Sequence, residues 1–354
     1  MARLPKRAPM SDRGPGRPVT VLVSSAGRRV ELLRGFRRAL ASLGLDGRVI
    51  ATDATWYSSA FHEADEGIVV PRLDDPGFVP FLLEVCEKHA VDLVVPTIDT
   101  EMAAWVGSRE QFAAIGTTVS LSGGGVVDIA ADKQLTHDWL VDNGFPTVGQ
   151  AAPDEVLADP GAWPFPLIAK PRFGSAGIGV GVVRDADELA ATVRRPELGD
   201  MVVQTLAAGR EHTIDVLADR DGRCVCAVPR RRIEVRSGEV SKGVTVRSAR
   251  LQDLASRICA ALPGAFGTIT VQVFVDGHPD EPAPDDADLA VIEINARYGG
   301  GFPLALEAGA DFPRWQLEEL LGLPSTAAPD DWRDGLVMLR YDAAVFVDEA
   351  DAPT

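Results

Sequence analysis

The stretch Leu289–Gly301, LAVIEINARYGGG, constrains this chain more than any other. It opens as an apolar strand, and the two-residue period puts Glu293 and Asn295 on one face with Ile292 and Ile294 on the other. Continued extension brings Arg297 to the polar face. A carboxylate, an amide oxygen and a guanidinium ahead of a glycine run suit a hard cation beside a transferring phosphate. A strand with one solvated face is the alternative, and the rest of the chain has to decide between them.

From Val19 the pattern alternates strand and helix. Val19–Val23 is a continuous apolar strand, Ser24 to Gly27 makes a turn, and Val30, Leu33, Phe36 and Leu40 share a helical face. Further strands are predicted at Arg48–Thr52, Ile68–Val70, Leu93–Pro96 and Thr118–Leu121, with helices at Gly77–His89 and Glu101–Ala113. This describes a small parallel sheet over 19–122, after a basic, Pro- and Gly-rich segment (1–18) read as a disordered tail, a start at Met10 being an open alternative. Such sheets bind ligands beyond the carboxyl ends of their strands. Asp99 and Glu101 stand there as candidates for a substrate ammonium. Asp53 lies where an acid that reads a ribose would lie, but the first turn carries only Gly27, which argues against a dinucleotide site. Arg28 and Arg29 are expected to be solvated, with anion binding as the alternative.

The remainder, 123–354, divides into a flap lobe (about 145–205) and a C-terminal lobe. Lys133 opens a helix against the helix dipole, which reads either as a phosphate contact or as a surface lysine. A short strand ends in Lys170, and Phe173–Gly181 (FGSAGIGVG) follows, passing back into a strand rather than into a helix. Strand, glycines, strand describes a hairpin flap, and the backbone of Gly174, Ser175 and Gly177 could cover phosphates. Gln204, Thr205 and Leu206 end another strand, whose exposed backbone could read an adenine edge, and Glu211 follows after a turning glycine. In Pro229–Gly243, alternation predicts Arg230, Arg232 and Arg236 on one face. That is either a pocket wall for a carboxylate or phosphate, or a charged edge strand. Gln272, in the strand Gly267–Val275, is expected to pair beside Glu293. Helices at Pro303–Ala310 and Arg314–Leu323 and a last apolar segment, Leu336–Val347, close the chain.

Composition removes whole classes of function. The 354 residues carry a net charge of -17, so the protein as a whole should repel nucleic acid and anionic membrane, and only a local basic pocket could hold a phosphate. No run approaches the ~18 apolar residues of a membrane span. Cys86, Cys224, Cys226 and Cys259 lack metal-site spacing and read as reduced thiols of a cytoplasmic protein.

Taken in order, Lys133, the Lys170 strand with its flap, Gln204–Leu206 with Glu211, then Gln272, Glu293, Asn295 and Arg297 resemble the ATP-grasp superfamily. Closest in flavour are the halves of the carbamoyl phosphate synthetase large subunit and amino-acid ligases similar to the pyrrolysine-biosynthesis ligase. The resemblance implies an ATP-grasp fold (α/β and α+β) preceded by a small Rossmann-like parallel sheet. It further implies that Lys133 and Lys170 bind ATP phosphates under the flap, that Gln204 and Leu206 meet adenine, and that Glu211 meets ribose. Gln272, Glu293 and Asn295 would hold Mg²⁺ or Mn²⁺. Arg297, Arg232 and Lys242 would stabilise the transferring group, with Arg230 near the substrate. The expected activity is a ligase that turns a small acid into an acyl phosphate and joins it to an amine. Thiol, bicarbonate or ammonia acceptors, or a silent nucleotide sensor, are the alternatives. The chain is too short for tandem synthetase halves, and no glutaminase or biotin-attachment signature is present. A homodimer is the default assembly.

Overall fold

The structure, a computed structural model, describes residues 18–174, 177–236, 238–277 and 288–351. Ser175, nearly all of the expected tail and most of the 276–288 loop lie outside the described residues.

The first sheet is parallel: β1 (Val19–Ser24), β2 (Gly47–Asp53), β3 (Glu66–Val69), β4 (Leu93–Pro96) and β5 (Thr118–Val119), in the order β3-β2-β1-β4-β5. All six residues of β1 are buried, which is why the strand reads as an unbroken apolar run rather than an alternating one. The strand order reverses between β1 and β4, so the crevice at their carboxyl ends is a topological switch point. Two helices, Gly124–Ala131 and Lys133–Asp142, then lead out of this sheet; the first carries no polar face and was not anticipated from the sequence.

Two antiparallel sheets follow. The flap sheet joins β6 (Gln150–Ala151), β7 (Leu167–Pro171), β8 (Gly181–Val183) and β9 (Met201–Thr205) in the order β6-β9-β7-β8. The hairpin foreseen around the glycines is β7 and β8, paired from Leu167–Val183 to Ala169–Gly181. The large sheet joins β10 (Arg210–Ala218), β11 (Cys224–Arg236), β12 (Glu239–Thr245), β13 (Gly267–Val275), β14 (Leu289–Asn295) and β15 (Val337–Leu339) in the order β14-β13-β10-β11-β12-β15. Between β9 and β10 the chain turns at Gly209, whose φ is +84°, and a Cβ there would lie 2.0 Å from the Val275 carbonyl oxygen. Only glycine makes that turn. The last apolar segment contributes only three residues to the sheet edge; Tyr341 and Phe346 beyond it are exposed.

The apolar packing separates these parts unevenly. Leu167, Ala169, Val183, Leu189, Met201 and Val203 form a core private to the flap lobe. By contrast, β1 and the helix Val30–Ser42 share one core with Tyr298, Phe302, Phe312 and Trp315, the rings of Phe36 and Tyr298 meeting edge-on at 6.3 Å. The first sheet and the large sheet are therefore one packed body, and the flap sheet is an appendage to it.

Candidate active site

The switch point is pinned from within. Glu101 is fully buried, and its Oε1 accepts from the Thr97 and Ile98 amides at 2.9 and 3.3 Å. Its Oε2 accepts from Ser24 Oγ (2.6 Å), Ser25 Oγ (3.0 Å) and Trp105 Nε1 (3.1 Å). One carboxylate thus ties the turn after β1 to the turn after β4. Burial pushes its pKa up while these donors pull it down. A side chain so enclosed cannot meet a substrate ammonium, so the sequence expectation for Glu101 is corrected to a structural one. Only the polar type of the residue was visible in sequence, not its burial.

Directly beyond these turns lies a cleft of about 580 Å³, lined by the flap hairpin, the large sheet and the turns of the first sheet. Lys133 and Lys170 both line it, and Lys170 lies within the field of Lys133. Lys133 Nζ donates to the Gly174 carbonyl at 2.8 Å, under the start of the flap, while Asp132 caps the helix by accepting from the Gln134 and Leu135 amides. Asp132 therefore supplies the acid that the helix dipole favours and frees Lys133 for the cleft. Lys170 is 6% exposed, and its ammonium makes no hydrogen bond to any of the described residues. Burial pushes its ammonium down to about 8; Lys133 adds to the depression, and Glu293 opposes it.

On the opposite wall Gln272 pairs with Glu293, as the sequence predicts, and Thr270 with Asn295; the pairing is irregular after Gln272, and Ile292, expected on the other face, also lines the cleft. The Gln272 amide end lies 3.2 Å from Glu211 Oε1 and 3.2 Å from Glu293 Oε2. With nitrogen there it donates to both carboxylates. With its oxygen there, Gln272 and Glu293 offer an amide and a carboxylate oxygen side by side, donors of the kind a hard cation takes. These residues fit a divalent cation. Burial raises the Glu211 carboxyl, Arg232 draws it back down, and Glu293 adds to the rise.

Gln204 and Thr205 are less open than expected. The Gln204 side chain is buried and donates to Gln150 Oε1 at 2.7 Å, and the Thr205 amide donates to the Gly149 carbonyl. Leu206, half exposed beyond the strand end, is where the cleft meets free backbone.

The arginines divide sharply. Arg297 holds Asp99 in a bidentate pair (Nε–Oδ1 2.7 Å, Nη2–Oδ2 2.6 Å), joining residues 198 positions apart in sequence. Asp99 is thus engaged by a guanidinium rather than left open for an ammonium. Arg232 Nη1 donates to Glu211 Oε1 at 2.8 Å. Arg230 is buried on Asp215, under the glycine run: a Cβ on Gly301 would fall 2.3 Å from Arg230 Nη1. This seat makes Arg230 a support for the loop rather than a substrate contact. Arg236 leaves the face, because irregularities between Arg232, Glu234 and Val235 break the alternation, and it pairs outward with Asp342. Lys242 pairs with Glu234 at 2.6 Å on the surface and does not line the cleft, so its expected catalytic role is withdrawn.

Arg29 was expected to be solvated; instead it crosses from the first sheet into the cleft, donating to the Tyr298 and Thr97 carbonyls. Burial foremost, then the neighbouring Arg297, lowers its pKa to about 10, against the pull of Glu239 and Asp99. Only its place just before a helix and after a strand turn hinted at this. Among the described residues, no helix is long and apolar enough to cross a membrane.

Comparison with known proteins agrees with this architecture. Residues 21–120 match the family model of the PylC-like N-terminal domain and residues 130–301 that of the ATP-grasp domain. The chain is 28% identical over 228 residues to a formate-dependent phosphoribosylglycinamide formyltransferase of Synechococcus sp. (strain CC9605), covering 61% of this chain and 54% of that one. It is 22% identical over 273 residues to the carbamoyl phosphate synthase large chain of Bifidobacterium animalis subsp. lactis, covering 71% and 23%. The matches thus span about half of the first relative and under a quarter of the second. Among solved structures, the biotin carboxylase domain of Hydrogenobacter thermophilus 2-oxoglutarate carboxylase, a dimer with MgADP, ADP and bicarbonate, superposes with a TM-score of 0.69 at 18% identity, covering 90% of this chain and 73% of that one. N5-carboxyaminoimidazole synthetase of Staphylococcus aureus complexed with ADP gives 0.67 at 16%, covering 90% and 81%. At such identities the likeness shows the fold. Two domain matches in sequence order, on a cleft whose lysines and oxygen donors come from opposite walls, place the chain in the ATP-grasp superfamily, with a PylC-like domain at its N-terminal side.

Proposed function

We propose that the protein is an ATP-dependent carboxylate–amine ligase, activating a small carboxylic or amino acid and coupling it to an amine, an amino acid in the first instance. The observation that carries this reading is the single cleft shared by Lys133 and Lys170 on one side and Gln272, Glu293, Asn295 and Arg297 on the other. The nucleotide complexes of the two fold relatives support it.

In this reading Lys133, Lys170 and the flap backbone at Gly174 and Gly177 hold the triphosphate. The backbone near Leu206 meets adenine, and Glu211, shared with Arg232, accepts the ribose hydroxyls. Gln272, Glu293 and Asn295 would hold Mg²⁺ or Mn²⁺, which would draw charge from the phosphoryl oxygens. An oxygen of the substrate carboxylate attacks the γ-phosphorus, and the bond to ADP breaks. The amine lone pair then attacks the acyl carbon, phosphate leaves, and the extra amine proton passes to solvent. Arg297, oriented by Asp99, stabilises the charge that develops on the transferring group, with Arg232 behind it.

A screen of ADP release over acid and amine pairs, with product masses read by spectrometry, tests this. The expected result is ADP release that needs both partners and a product lighter than their sum by one water. ATP bound without ADP release for any pair would leave a nucleotide sensor. Release with bicarbonate, a thiol or ammonia alone would reassign the acceptor.

A further inference from the structure

Four guanidinium groups line the cleft, and three of them are neutralised by a carboxylate: Arg230 by Asp215, Arg232 by Glu211 and Arg297 by Asp99. Arg29 is the exception among the described residues. Its Nη1 donates to the Tyr298 carbonyl at 3.2 Å and its Nη2 to the Thr97 carbonyl at 3.3 Å, and no described carboxylate comes within 4.0 Å of it. A guanidinium has five N–H donors in a rigid fork, so two long bonds to backbone oxygens leave most of that fork unused. The carbonyls fix where the group points without cancelling its charge.

A guanidinium held half-buried in a cleft with no carboxylate on it carries an unspent charge, and its arrangement is that of a receptor for an anion. The triphosphate end of the cleft already has Lys133 and Lys170. Arg29 comes instead from the switch point, beside Asp99 and the Arg297 it orients, where the non-nucleotide substrates have to lie if the ligase reading holds. The carboxylate that reacts loses its charge on becoming an acyl phosphate and so needs no lasting counter-ion.

We propose that Arg29 anchors a carboxylate that takes no part in the bond being made. One of the two substrates therefore carries a second acidic group. It is either an amino-acid acceptor held by its α-carboxylate or a donor with two carboxylates. The assignment of this anion to a ligase substrate rests on the reading above, whereas the anion site itself can be measured without turnover.

The test is calorimetric binding to the full chain with Mg–ADP present, using the standard amino acids, succinate and glutarate as probes, each beside its primary amide. At least one probe should bind about ten- to a hundredfold more tightly as the carboxylate than as the amide. Arg29→Gln should reduce that ratio to within about threefold while leaving Mg–ADP affinity and melting temperature near wild type. Arg29→Lys, which keeps the charge and loses the fork, should give an intermediate ratio, and it serves as the reading if the glutamine variant does not fold. Amino acids or dicarboxylates among the hits tell which substrate supplies the group. The proposal is overturned if no probe is preferred over its amide. It is equally overturned if the ratio survives in the Arg29 variants, including the case in which they only melt earlier, as a plain strut between domains would. Carboxylate selectivity without ADP release for any pair would sink the ligase reading and leave the anion site standing; ADP release without selectivity would do the reverse.

Discussion

Lys170 carries a charge that its buried seat at the end of β7 opposes. It is 6% exposed, and burial holds its pKa at about 8. In an unfolded chain a lysine titrates near 10.4. Between these values the unfolded state binds more protons than the folded one, so the stability of the ligand-free protein should rise with pH across that window. The depressed pKa of Lys170 costs the fold about 3 kcal/mol at pH 7.5, where the group is largely charged in both states, and about 1 kcal/mol at pH 9.5, where it is largely neutral in the fold. Lys170→Met keeps an unbranched chain of similar reach and removes the charge. Some of the gain is offset, because Glu293 loses the cation that faces it. We therefore expect the variant to be about 1–3 kcal/mol more stable than wild type at pH 7.5, with the difference shrinking by pH 9.5. Urea unfolding of both proteins at the two pH values, without nucleotide, measures this. Addition of ATP should stabilise wild type and leave the variant unmoved. A variant less stable than wild type at pH 7.5, or a difference indifferent to pH, would refute the reasoning.

Three further outcomes are expected. Glu101→Gln turns an amide N–H₂ toward obligate donors at the switch point and should lower stability by about 3 kcal/mol in urea unfolding; a shift within about 0.5 kcal/mol would mean that the network is slack. Glu293→Ala should retain the wild-type circular dichroism spectrum while turnover drops at least about a hundredfold and the response to Mg²⁺ is lost, and unchanged activity would remove the metal assignment. Lys242→Ala, which breaks one exposed ion pair, should change neither activity nor stability by more than about 0.5 kcal/mol, and a large loss of turnover would restore the role the sequence suggested.

What could be read in the sequence was whatever a single element's period decides. Glu293, Asn295 and Arg297 line one cleft because a strand repeats every two residues, and Gln272 meets Glu293 because two apolar strands pair in register. The glycine hairpin was legible for the same reason, since an apolar strand resumes after it. Partnerships between elements were not. Asp99 and Arg297 look like two independent polar residues until the first sheet packs against the large one, and Glu101 has the composition of an exposed helix start while sitting in the interior. Arg236 was misplaced because irregularities between Arg232 and Val235 break the two-residue alternation, and no residue type announces them. Arg29 was read as solvated, with anion binding only the alternative, because a guanidinium in a turn carries no mark of which other domain it will reach.

The separate packing of the flap lobe has a consequence for how the cleft responds to its surroundings. The hydrogen bonds that tie this lobe to the helix Lys133–Asp142 are polar and partly wet: Arg172 on Asp132, Lys133 on Gly174, Gln150 on the Lys133 carbonyl, and His137 with the Val148 carbonyl. Swinging the lobe outward at this seam exposes little apolar surface, so dissolved salt should loosen it chiefly by screening the Arg172–Asp132 ion pair while barely touching the melting of the body beneath. Ionic strength, more than temperature, is then the variable expected to set how often the mouth stands ajar.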